Sequence, residues 1–270
     1  MPRVTNHLVL HTIDGAADLL IEELRAMSSV HSIHQLSVAT VACTVDGPLD
    51  ELISCALYST IAVRDLNDGS IAEVGSLAWT RRFGRPERLP WSTNLIVAEV
   101  LVRLAKIRPE HRVLDPFCGT GTILRAVRRR EPGALVIGTD RDRKALAMAA
   151  RNAPREHLIQ STAHALPLGE GTVDRVIANL PFGKQVGSHH GNRTLYPAAL
   201  DELDRILTAN GRAVLLTEDK RLLRAAIDHQ KALKIVRHRL LKYNGATPTA
   251  YVLTRPRLSR TARAGSTAEW

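Results

Sequence analysis

The chain has 270 residues, 44% of them hydrophobic and 24% charged, and a formal net charge of +10. That length and composition support a buried core and exclude wholesale disorder, and no run approaches the roughly 18 apolar residues of a membrane span. Three cysteines (Cys43, Cys55, Cys118) without CxxC or metal spacing argue for a reduced, cytoplasmic protein with no metal site.

The charge is uneven. Residues 1–80 carry 3 Lys+Arg against 10 Asp+Glu, whereas residues 81–270 carry 34 against 17. So basic a field favours a polyanion, RNA or DNA. An arginine-rich genome would raise arginine everywhere, but it leaves the acidic N-terminal part unexplained.

Residues 7–13 read as a strand, and 16–27 as a helix with Ala17, Leu20, Ile21 and Leu24 at helical spacing. Strands follow at 32–36 and 38–45, then a helix over 49–59 opened by Pro48, and a strand at 61–66. The order βαββαβ predicts a ferredoxin-like α+β unit over 1–66. Residues 67–91 read as a basic linker, with Arg81, Arg82, Arg85 and Arg88 among Phe83, Gly84, Pro86 and Pro90. The arginines suit either a solvated linker or a basic rim at a substrate entrance.

Ser92 or Thr93 caps a helix running to Ile107. Strands at 112–115, 134–139, 157–160, 173–179, 212–217, 232–240 and 249–254 then alternate with helices at 122–130, 143–152, 195–208 and 220–228. The alternation predicts a Rossmann-like, doubly wound, mostly parallel α/β sheet over 92–254. The last two strands have no helix between them and read as a terminal antiparallel hairpin. Residues 255–270 read as a basic, disordered tail.

Two stretches carry chemistry. In the first, Asp115-Pro116-Phe117-Cys118-Gly119-Thr120-Gly121-Thr122, a strand runs into a glycine loop and a helix N-terminus. GK[ST] is absent and Leu124 stands where a dinucleotide fingerprint needs its third glycine, so neither a Walker loop nor that fingerprint fits. Asp140 ends the next strand, about 20 residues on, where an acidic side chain can accept from ribose hydroxyls. Asp115 is placed to meet a cationic group such as an ammonium. Ribose at one end and an amino acid at the other describe S-adenosylmethionine.

In the second stretch, Asn179-Leu180-Pro181-Phe182-Gly183, two acceptors (the Asn179 side-chain oxygen and the Leu180 carbonyl) suit the two N–H groups of an exocyclic amine. Pro181 stiffens the loop, and Phe182 offers a face on which a base leaving its helix can stack.

These motifs, with Thr139-Asp140-Arg141-Asp142, resemble those of class I S-adenosylmethionine-dependent methyltransferases. They look closest to the THUMP-associated family that makes N2-methylguanosine in tRNA, and the likeness spans about residues 84–254. Residues 1–66 also resemble the ferredoxin-like domain that opens such proteins. The resemblance implies cofactor contacts at Asp115, Phe117, Cys118, Gly119, Gly121, Thr122, Asp140, Arg141, Thr162, Ala163 and Asn179. It implies catalytic, base-facing roles for Asn179, Leu180, Pro181 and Phe182.

Two departures stand out. Thr162 occupies the place of a family acidic residue that accepts from the adenine amino group, and its hydroxyl does so only weakly. The chain between 66 and 84 is too short for a complete THUMP domain, the family's reader of the tRNA 3′ end. RNA docking is thereby left to the tail and linker arginines, to a different RNA or to a partner subunit. Cys118, with no neighbouring base in sequence, reads as a packing residue rather than a nucleophile. Residues 184–193, with His189 and His190, read either as a lid or as a plain loop.

The expected activity is methyl transfer to an exocyclic base amine of RNA, guanine N2 in tRNA first. Its rivals are an rRNA or DNA amino-methyltransferase, a small-molecule N-methyltransferase, and a catalytically silent RNA-binding subunit.

Overall fold

A computed structural model describes residues 5–182 and 189–255. Strands β1 (Thr5–His11), β2 (Val30–Ser37), β3 (Thr40–Asp46), β4 (Thr60–Arg64) and β5 (Ile71–Glu73) form one antiparallel sheet in the order β2-β3-β1-β4-β5. Helices α1 (Ala17–Arg25) and α2 (Asp50–Ile53) complete the unit. The first four strands have the ferredoxin-like order expected from the sequence. Alternation drives burial along β3, where Val41, Cys43 and Val45 point inward.

Helix α2 is a single turn, not the expected helix over 49–59. The carbonyls of Ile53 and Cys55, which a helix to residue 59 would use, and that of Tyr58 instead accept from the Arg82 guanidinium, whose Nε also donates to Leu77 O at 2.6 Å. The guanidinium lies 3.7 Å from the Tyr58 ring centroid. Arg82 sits in α3 (Trp79–Phe83), and Trp79 Nε1 donates to Ala56 O at 3.1 Å. The stretch expected as a linker over 67–91 is therefore largely built into the N-terminal unit, with β5 as its fifth strand. Only Arg81, Arg85 and Arg88 of its arginines stay exposed.

The larger sheet has 7 strands in the order β11-β12-β10-β9-β6-β7-β8. They are β6 (Arg112–Asp115), β7 (Leu135–Asp140), β8 (His157–Gln160), β9 (Val173–Asn179), β10 (Leu207–Thr217), β11 (Lys234–Leu240) and β12 (Thr249–Thr254). Strands β8 to β10 through β6 are parallel; β12 is antiparallel to both β10 and β11. The expected hairpin is present, with β12 inserted between β10 and β11 so that β11 is the edge.

Helices α4 (Leu95–Ala105), α5 (Thr122–Arg130) and α6 (Arg143–Asn152) precede or link the first strands, and α7 (His189–Ile206) and α8 (Lys220–Gln230) flank the later ones. Helix α4 is capped by Asn94, whose Oδ1 accepts from Ile96 N and Val97 N, and not by Ser92 or Thr93. Helix α7 begins at His189 rather than at 195 and contains Pro197. Strands buried on both faces feed two cores by alternation. Ile177, Val214 and Val252 join Val97, Leu101 and Val127 on one side, in a core continuous with Leu20 and Leu24 of α1. Val176, Leu215 and Tyr251 join Leu203 and Leu223 on the other.

The two units are also joined by charge. Glu99 of α4, 1% exposed, pairs with Arg103 at 3.0 Å and with Arg129 of α5, and Arg103 reaches Glu23 of α1. Residues 183–188 and 256–270, which hold Gly183, half of the suggested lid and nearly all of the tail, lie outside the described residues. No described helix is long and apolar enough to cross a membrane.

Candidate active site

Strand order reverses at β6: the chain winds outward through β7 and β8, then returns to β9 on the other flank. The carboxyl ends of β6 and β9 flank such a crevice, where open α/β sheets bind ligands. A cleft of about 1270 Å³ lies there.

Tight packing sets the glycine loop. Gly119 and Gly121 adopt φ of +51° and +80°, a left-handed region that costs a residue with a Cβ. A Cβ on Gly121 would also lie 3.3 Å from Ala149 Cβ, so this glycine faces α6 and not the cleft. At Gly119 the nearest atom to such a Cβ is 4.0 Å away, and room there is left to the cleft. Opposite the loop, a Cβ on Gly138 would meet Leu124 Cδ1 at 2.6 Å and Cys118 Sγ at 3.0 Å. Cys118 is 5% exposed and burial pushes its thiol pKa up, which is the behaviour of a packing residue.

The two aspartates differ. Asp140 stands at the cleft wall and accepts from Gly119 N at 2.8 Å through Oδ2 and from Asp142 N at 2.9 Å through Oδ1. It ties the loop to β7 and keeps two lone-pair directions free for a ligand hydroxyl. Asp115 lies behind the loop, 2% exposed, and is not part of the cleft wall. Its Oδ1 accepts from Phe117 N at 3.0 Å. Burial raises its pKa well above the usual carboxylate value and the Asp140 charge adds to this, while the Phe117 bond opposes it.

Phe117, Cys118, Gly119, Thr122, Asp140, Arg141, Thr162, Ala163, Asn179, Leu180, Pro181 and Phe182 line the cleft together, as residues of one site should. Asp115 and Gly121 are the two expected site residues that do not. Thr162 forms a small bridge with Ala165, its Oγ1 3.4 Å from His164 Nε2.

Asn179 ends β9. Its Nδ2 donates to Thr93 Oγ1 at 3.1 Å, while its Oδ1 is buried and accepts nothing among the described residues. Leu180 N donates to Leu216 O at 2.9 Å, tying this loop to β10. The Pro181 carbonyl accepts from Asn192 Nδ2 at 2.7 Å and from the Tyr196 hydroxyl at 2.8 Å, and Tyr196 in turn meets the buried Thr217 hydroxyl at 2.9 Å. Sequence reasoning missed this support. It also missed the turn before α4, where Ser92 Oγ lies 3.0 Å from Thr120 Oγ1 of the glycine loop and Trp91 is 45% exposed. The available signal was three polar residues, Ser92, Thr93 and Asn94, ahead of a helix that needs one cap.

A model of the UPF0020 family, described as an RMKL-like methyltransferase domain, matches residues 84–247. The chain belongs to that family. Its fold and motifs are those of a class I S-adenosylmethionine-dependent methyltransferase.

Among curated relatives, a tRNA (guanine(6)-N2)-methyltransferase of Thermus thermophilus is 36% identical over 180 residues, covering 64% of this chain and 53% of the relative. The Homo sapiens tRNA (guanine(6)-N(2))-methyltransferase THUMP3 is 34% identical over 167 residues, covering 55% of this chain and 32% of the relative. The chain thus spans about half the length of the first and a third of the second. The crystal structure of TrmN from Thermus thermophilus superposes with a TM-score of 0.80 over 93% of this chain and 100% of its own, at 22% identity, a likeness of fold.

The residues fit the cofactor of this class. Asp140 keeps acceptor capacity at the cleft wall, the Gly119 backbone approaches without a side chain, and the cleft has room for a nucleoside and an amino-acid tail.

Proposed function

We propose that the protein methylates the exocyclic N2 amine of guanine in tRNA. The observation that carries this reading is the buried Asn179 Oδ1, an acceptor without a donor among the described residues, at the wall of the cofactor cleft. Buried polar atoms are satisfied as a rule, and an amine N–H supplies the missing donor. The names of the relatives favour guanine N2 among exocyclic amines, and the excess of 34 Lys+Arg over 17 Asp+Glu in residues 81–270 favours RNA. A tRNA substrate is in keeping with a cytoplasmic protein.

S-adenosylmethionine, when bound, supplies an electrophilic methyl on a sulfonium. Asp140 and the glycine loop hold its ribose end, with Thr162 and Ala163 beside the adenine. Asn179 Oδ1 and the Leu180 carbonyl accept the two amine hydrogens and turn the nitrogen lone pair toward the methyl. Phe182 stacks the base, and Trp91 and Arg88 at the mouth offer a second stacking face and a phosphate partner. Positioning supplies most of the acceleration. Neither acceptor takes a proton, so the proton released after transfer passes to water.

The test is methyl transfer from tritiated cofactor to purified tRNA, followed by nucleoside analysis. Label in N2-methylguanosine is the expected result, and label only in another nucleoside or in small molecules refutes the reading. Asn179→Ala should abolish turnover with cofactor affinity nearly intact; turnover at the wild-type rate would remove Asn179 from the reaction.

A further inference from the structure

We infer that Thr93 is a positioning residue for methyl transfer, holding the Asn179 amide nitrogen while the amide oxygen meets the target amine. The inference rests on the amine-methylation reading above and names a residue that the recognised motifs leave out.

An asparagine side chain is nearly symmetric in shape and opposite in chemistry at its two ends. Turned about its last bond by half a turn, Asn179 would present N–H groups to an amine that itself offers only N–H groups. The Thr93 hydroxyl can accept from an amide N–H or donate to an amide oxygen, so it is the amine in the cleft, with N–H groups only, that selects the orientation in which Oδ1 faces it and Nδ2 faces Thr93. Thr93 Oγ1, 3.1 Å from Asn179 Nδ2, is the partner present. With Oδ1 engaged by an amine, Nδ2 needs an acceptor, and the Thr93 hydroxyl provides one.

Thr93 is itself firmly held. Arg88 Nη2 donates to the carbonyls of Ser92 and Thr93, each at 3.2 Å. Leu89 N donates to Ser92 Oγ at 2.9 Å, and Ser92 Oγ also meets Thr120 Oγ1 of the cofactor loop. The next residue, Asn94, caps α4, whose Ile96, Val97, Val100 and Leu101 are buried. One braced turn therefore touches the cofactor loop through Ser92 and the substrate-side amide through Thr93. It sets the two halves of the site relative to each other.

Thr93→Val keeps the shape and removes the acceptor. In the productive orientation Nδ2 would then be shielded without a partner, a penalty felt when the amine binds and reacts but not when the cofactor binds. The expected result is a fall in kcat of about tenfold to a hundredfold, with the cofactor Kd unchanged by calorimetry and kcat restored in Thr93→Ser. A second readout does not depend on activity. In protein labelled with 15N-asparagine, the Asn179 side-chain N–H signals, assigned with Asn179→Asp, should move or broaden in Thr93→Val and return in Thr93→Ser.

Wild-type kcat in Thr93→Val, unmoved Asn179 signals, or a loss of cofactor affinity equal to the loss in kcat would each overturn the role of Thr93. Wild-type protein that leaves guanine N2 unmethylated would instead overturn the functional reading, and the side-chain signals would still decide whether Thr93 holds the Asn179 amide.

Discussion

Replacing Asp140 by alanine removes the acceptors of two backbone N–H groups, one in the glycine loop and one just ahead of α6, and two lone-pair directions offered to the cofactor. Those groups are Gly119 N at 2.8 Å and Asp142 N at 2.9 Å. A hydrogen bond to a charged group is worth roughly 1.5–3 kcal/mol net. Losing two to the ribose therefore costs about 3 kcal/mol or more, and 1.4 kcal/mol is about tenfold in Kd. Asp140→Ala should weaken S-adenosylmethionine by at least about a hundredfold in isothermal titration. The freed loop adds to that loss and should lower the thermal midpoint without ligand. Asp140→Asn keeps one acceptor but turns an NH₂ toward one of the two backbone N–H groups, so it should be nearly as poor. A cofactor Kd within about threefold of wild type in Asp140→Ala would refute the placement of Asp140 on the ribose.

Three further outcomes are expected. Asp115 has a native pKa raised above its unfolded value, so its protonated form stabilises the fold below the ordinary carboxylate pKa and that contribution is lost as pH rises through the native pKa. Asp115→Asn, which keeps an acceptor for Phe117 N, should thus melt above wild type near pH 7–8 in the absence of cofactor, the gap closing toward about pH 4; a lower midpoint throughout would contradict the sign. Gly138→Ala drives a methyl to 2.6 Å from Leu124 Cδ1, and overpacking of this kind should cost about 1–3 kcal/mol in urea denaturation. Arg82→Met keeps an unbranched stem but removes the guanidinium over Tyr58 and leaves the carbonyls of Ile53, Cys55, Tyr58 and Leu77 without their donor; a loss of about 2–4 kcal/mol is expected, and a change below about 0.5 kcal/mol would show that water replaces the guanidinium.

The parts legible in the sequence were those written in local spacing. Alternating apolar residues placed β3, apolar runs placed β9 and β12, and a glycine loop between Asp115 and Thr122 marked the crevice, because strand and loop geometry are set over a few residues. Asp140 and Asn179 were found because strand ends deliver side chains to the same edge of a parallel sheet. Asp115 shows the limit of that logic. It ends its strand as expected, yet its side chain turns behind the loop to cap Phe117 N, a choice made by the turn's own N–H groups. Helix α2 shows another, since the 49–59 stretch has helical spacing but loses its carbonyls to an arginine about 25 residues on.

By itself the sequence determined the class of the sheet, the kind of cofactor and the asparagine that stands at the cleft wall. Each is set by residue type at short separation, where backbone geometry leaves few alternatives. The tertiary structure alone decided what steadies those groups and the fold around them: Thr93 on Asn179 across 86 residues, Asn192 and Tyr196 on the Pro181 carbonyl, and Arg82 joining α3 to the segment that follows α2. Such contacts depend on where separate elements come to rest once their apolar faces are buried, and no local period in the chain encodes that distance.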